Sequence, residues 1–216
     1  MTKPSVICRS GFRVQASVFT TNWNRRIGAS NGQALVEFAV ALPLLLLLVL
    51  GVVEVGYALL DHHVITKLAR EGSNLISRDT SLQDAATAMR TLSSRPVNLD
   101  NGSRLIFSVI KKGATAGTAN FDKEILYQRY EYGSLAGVTS VVKTKGSASF
   151  RGAPDYEAVN SDSDANLQIT QLPVNLGLVR GGMIYVTEIY TKHSLITPVD
   201  RFGLTLPQTL YSIAYF

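Results

Sequence analysis

The chain has 216 residues, a formal net charge of +5 and a pI near 9.4. Five of its 21 Lys and Arg residues (Lys3, Arg9, Arg13, Arg25 and Arg26) and none of its 16 Asp and Glu residues fall within 1–32, so residues 33–216 carry 16 of each and no net charge. That excludes a nucleic-acid stripe, which needs cations clustered on the folded domain. The single cysteine, Cys8, in the same basic leader, excludes a disulfide framework from the rest.

After the leader comes an apolar run. From Phe38 to Val53 there are 16 consecutive uncharged residues, about 24 Å of helix. The apolar character continues through Tyr57, Leu59 and Leu60, so a helix over about 33–60 is long enough to span a ~30 Å hydrocarbon core. With every excess cation ahead of it, the positive-inside rule predicts a cytoplasmic N-terminus. Glu37 then falls near the inner face and Glu54 near the outer one. Pro43 is expected to kink or loosen the helix, and Gly51 and Gly56 to permit close packing. A cleavable secretory signal fits less well: the run is long, and Asp61-His62-His63 follow it instead of a small-residue cleavage site. The Arg25-Arg26 pair alone is a weak twin-arginine signal.

Residues 54–78 continue as a stem helix, with Tyr57, Leu60, Val64, Leu68, Leu75 and Ile76 at helical spacings. His62 and His63 are adjacent, about 100° apart on a helix, and read as interfacial polar residues rather than metal ligands. A second helix is predicted with Ser81 or Thr80 as its cap and Asp84, three residues after Ser81, as a weak capping-box partner; it runs to about Leu92 or Ser93 and is ended by Arg95-Pro96. Strands are then expected at 104–110, 124–132, 138–142, 183–190 and 209–216. Residues 143–166, rich in Gly, Ser, Ala, Asp and Asn, read as a long surface loop. Within it Asp162-Ser163-Asp164-Ala165-Asn166 has the first spacings of a calcium loop, but Leu167 and Pro173 stand where glycine and glutamate belong. The tyrosines 127, 130, 132, 185 and 190 read as sheet packing, and Asp155 and Glu157 as solvent-facing.

Catalytic motifs are lacking: no G-x-S-x-G, P-loop or H-E-x-x-H occurs. The reading is a non-enzyme without cofactor or metal. Its fold class is α+β: a transmembrane helix continuing into a stem, then a helix packed on an antiparallel sheet. The division is a leader at 1–32, a membrane and assembly helix at 33–60, stem and amphipathic helices at 61–95, and a sheet domain at 96–216.

Gly32-Gln33-Ala34-Leu35-Val36-Glu37-Phe38-Ala39-Val40-Ala41-Leu42-Pro43-Leu44-Leu45 resembles a type IV prepilin cleavage site, and more closely the G-x-A-x-V-E-F-A-x-x-x-P-L-L signature of TadE-like minor pilins (pseudopilins) of the tight-adherence (Tad/Flp) pilus system. Ala69-Arg70-Glu71-Gly72 resembles the following segment of that family, with Gly72 where alanine is expected. The resemblance covers about residues 31–75. It implies cleavage between Gly32 and Gln33 by a membrane aspartyl prepilin peptidase, and a mature chain starting at Gln33. It also implies roles for Glu37, Phe38 and Pro43 in assembly. The implied partners are the peptidase, other Tad pilus subunits and minor pilins, the inner-membrane assembly platform and membrane lipid. Localisation would be single-pass in the inner membrane with a periplasmic, pilin-like domain. The residues agree: glycine is the most permissive residue for an extended backbone entering a protease cleft. A new α-amine, protonated at pH 7, would offset Glu37. The alternative is an uncleaved single-span signal anchor with a periplasmic ligand-binding or sensor domain.

Overall fold

The computed structural model describes residues 24–172, 177–196 and 208–216, with side chains from Gly32 onward; leader residues 1–23 lie outside the described residues. The long helix, α1 (Asn24–Ile76), is continuous and contains Pro43. Gly32 therefore lies inside helix rather than ahead of it, and the stem stops at Ile76.

From Leu35 to Leu60 the large apolar side chains of α1 are exposed: Phe38 at 65%, Leu48 at 62% and Leu60 at 62%. An exposed apolar surface of this size needs an apolar solvent or a partner. This is the one described helix long and apolar enough to cross a membrane.

Beyond it, α1 turns one stripe toward the domain. Glu54, Ile65, Leu68, Ala69, Gly72, Ser73 and Ile76 are buried, with Asp61 half-buried between them. The steps of seven, four, three and four residues place these groups on one face. The buried stripe lies mainly along the second half of the stem. Leu68 and Ile76 are on it, whereas Tyr57 and Leu60 are exposed. An apolar pattern cannot separate the lipid side from the core side when both are apolar; here the acids Glu54 and Asp61 mark the protein side.

Helix α2 (Leu82–Leu92) begins where the capping box predicts. Asp84 N–H donates to Ser81 Oγ at 3.1 Å, and the Ser81 hydroxyl donates to Asp84 Oδ2 at 2.7 Å. Leu82, Ala85, Ala86 and Met89 form its buried face.

Six strands follow: β1 (Ser103–Lys112), β2 (Glu124–Gly133), β3 (Lys143–Thr144), β4 (Ile169–Gln171), β5 (Met183–Lys192) and β6 (Thr209–Tyr215). The main sheet has the order β2-β1-β5-β6 and is antiparallel throughout. The predicted strand at 138–142 is absent; the chain pairs only at β3, with β4, in a separate two-stranded sheet. Strand alternation gives the main sheet two buried faces. Leu105, Phe107, Val109 and Ile189 join Ile65, Ala69, Leu82 and Met89 in the helix-side core. On the opposite face Ile106, Ile110, Leu126 and Val186 are covered by Leu135, Val142, Phe150 and their neighbours.

The segment 143–166 is a long, mostly exposed loop, as expected, and it is tied to the sheet at a few points. Ala158 is buried and bridges Phe150, and Leu167, in the 3-10 turn Ala165–Leu167, is fully buried. Asp164 caps that turn through Asn166 N–H, and Asp162 accepts from the Thr115 hydroxyl. The acidic cluster supports turns.

Candidate functional site

Two places carry chemistry. The first is the N-terminal part of α1. Gly32 faces open space: a methyl built on it would meet nothing within 4 Å. Gln33 Nε2 donates to Glu37 Oε1 at 3.2 Å across one helical turn, on an exposed face. Phe38 is exposed beside it, and Pro43 lies five residues on within the same helix. The five residues implied by the resemblance occupy one short stretch of α1, with Gln33 and Glu37 in contact.

The second place was missed by sequence reasoning. His193, just after β5, is buried, with Nδ1 2.8 Å from Asp61 Oδ2 and Nε2 3.3 Å from Glu54 Oε1. Ile196 N–H donates to both Glu54 oxygens at 3.2 Å. One imidazole thus ties two carboxylates of α1 to the end of the sheet. Both ring nitrogens face a carboxylate oxygen. A carboxylate at the edge of an apolar span is costly unless paired, and Glu54 is paired by the domain itself. The available signal was two acids seven residues apart, on one face of an otherwise apolar helix. His62 and His63 are exposed and take no part.

A third polar group lies within the sheet's second face. Glu188, fully buried, accepts from Ser140 Oγ at 2.6 Å, Val141 N–H at 3.0 Å and Tyr190 OH at 3.1 Å. Arg129 donates to Ser140 Oγ and to the Val142 carbonyl, both at 2.9 Å. Burial lowers the Arg129 pKa, and the Glu188 charge opposes that shift. Ser140 thereby bridges a buried cation and a buried anion, which fixes the covering segment to the sheet. Among the described residues no group of three His, Cys, Asp or Glu side chains is arranged to hold a metal.

The tyrosines pack as sheet residues. Tyr130 stacks on Tyr132 and on Tyr156, and the Tyr190 and Tyr211 rings meet at a tilt. Glu157 is not simply solvent-facing: it accepts from Tyr127 OH at 2.9 Å.

No curated protein and no solved structure matches the chain. The family model of the TadE-like proteins matches residues 32–74. That interval begins at Gly32 and ends within the buried stripe of α1, enclosing Glu37, Glu54 and Asp61. Residues 32–74 of this chain are therefore similar to the TadE-like proteins, and the α+β domain beyond them lies outside the matched interval.

Proposed function

We propose that the protein is a minor pilin, or pseudopilin, of a Tad-type pilus: a structural subunit and not an enzyme. A prepilin peptidase cuts between Gly32 and Gln33. The mature chain stays single-pass in the inner membrane, with its N-terminus cytoplasmic and its sheet domain periplasmic, and associates through α1 with other pilus subunits and the assembly platform. The observation that carries this reading is the TadE-like match beginning at Gly32, over a helix whose apolar side chains are exposed.

The geometry suits the processing step. Cleavage would place a protonated α-amine on Gln33, four residues and about 6 Å of helical rise from Glu37. Gln33 already faces Glu37 through its side chain, so the new cation appears on the acid's own face of the helix. The scissile bond lies in helix and must open to enter a protease. Gly32 lowers that cost, since glycine is about 1 kcal/mol less favourable than alanine in a helix.

Expression of Gly32→Trp in a host with the peptidase tests the site. The proposal expects a species about 32 residues longer than the processed protein on a gel. Normal processing of Gly32→Trp would sink the assignment and favour an uncleaved signal anchor.

A further inference from the structure

A cleft of about 320 Å³ opens beside α1. Tyr57, Leu60 and Val64 form one wall, Ile196 contributes apolar surface opposite, and Arg95 and Asp61 bring charge. Arg95 is exposed and makes no hydrogen bond or ion pair among the described residues. Asp61, the acid on the same wall, is engaged by His193.

The level of this cleft follows from helix geometry. If Phe38 marks the inner edge of the hydrocarbon, about 20 residues of helix cross ~30 Å and end near Tyr57. Tyr57 and Leu60 then lie at the headgroup layer, where tyrosine is enriched. Val64 and Arg95 border the aqueous side. Apolar walls continuous with a membrane span, beside an exposed guanidinium at headgroup level, match a ligand with an apolar body and an anionic phosphate.

We propose that this cleft holds the headgroup of an anionic phospholipid, with Arg95 as the phosphate ligand and Tyr57, Leu60 and Val64 against the glycerol and upper acyl chain. Guanidinium suits the role because its planar fork of donors matches phosphate oxygens. The bound lipid fixes the depth of α1 in the bilayer next to the Glu54–His193–Asp61 tie. The inference rests on the membrane-spanning reading of α1 given above.

The test uses the full chain, reconstituted in bilayer discs of phosphatidylcholine mixed with phosphatidylglycerol, then released and weighed by native mass spectrometry. The expected result is one retained phosphatidylglycerol per chain, enriched about fivefold over its share of the bilayer, the scale of one cation at an anionic surface. Arg95→Gln should erase the enrichment, Arg95→Lys should keep most of it, and Arg151→Gln, remote from the cleft, should leave it unchanged. Millimolar inorganic phosphate should not displace the lipid. Equal retention of both lipids by the wild type, an unchanged Arg95→Gln, displacement by phosphate, or a second copy of the chain in place of lipid would each overturn the site. Carbonate extraction of the same material separates the two readings. Protein that stays with the membrane but shows no lipid preference overturns the headgroup site alone, and protein released by carbonate overturns the span as well.

Discussion

Gly72 on α1 faces Thr187 on β5 so closely that a methyl built on the glycine would lie 2.8 Å from Thr187 Cγ2 and 3.2 Å from Met89 Cε. The missing side chain is what lets the stem helix approach the sheet at this point.

Two effects compete in Gly72→Ala. Helix propensity favours alanine by about 1 kcal/mol, whereas overpacking against a stiff, β-branched threonine costs about 1–3 kcal/mol. Packing should win, with a net loss of about 1 kcal/mol in thermal unfolding of the full chain in detergent. The Thr187 hydroxyl is buried without a partner, so Thr187→Ala removes both the clash and the unsatisfied group. The double variant should be more stable than the sum of the two single changes, with a coupling of about 1 kcal/mol. Additive effects would show that the two residues do not constrain each other.

His193→Ala leaves Glu54 and Asp61 without the group between them. Removing one member of a buried charge network costs about 3–5 kcal/mol. The same unfolding assay should show a loss in that range, larger than for Asp61→Asn, because Asp61 is a quarter exposed and Glu54 is not. A His193→Ala protein of wild-type stability would mean that the contact contributes little.

The tyrosines near Glu188 make a pH prediction. Burial, and then the Glu188 charge, push the Tyr215 hydroxyl up to about 12. The same two causes lead for Tyr190 and Tyr211, which lie higher still. In the unfolded chain all three ionise near pH 10. Above pH 10 the unfolded state therefore binds fewer protons than the native one, and stability is lost as pH rises toward 12. Absorbance of tyrosinate during a pH titration should show these three ionising last, with the alkaline loss of fold. Glu188→Gln should move their ionisation to lower pH; a titration in which every tyrosine ionises near pH 10 in the folded protein would contradict the buried placement.

Ser81→Ala removes the N-cap of α2. The expected loss is about 1 kcal/mol, small because Asp84 still offers a negative charge to the first turn.

Legibility in the sequence followed the range of the interactions. The α2 cap and four strands of the main sheet rest on local periodicity and capping, and each lies within a few residues of its expected place, whereas the long apolar helix begins at Asn24, ahead of its expected start. The ties of the 143–166 loop to the sheet were not legible. Its polar, glycine-rich composition reads as loop, while Leu167 and Ala158 are buried by partners far away in sequence. The Glu54–His193 contact joins residues 139 apart, which no local pattern encodes.

The cut after Gly32 is the claim on which topology, charge and assembly role depend. Intact mass and N-terminal sequencing of the protein recovered from membranes of a host with the peptidase test it most directly. The account predicts a chain beginning at Gln33, without the five leader cations and without Cys8. A chain that still begins at Met1, or starts elsewhere than Gln33, would contradict it.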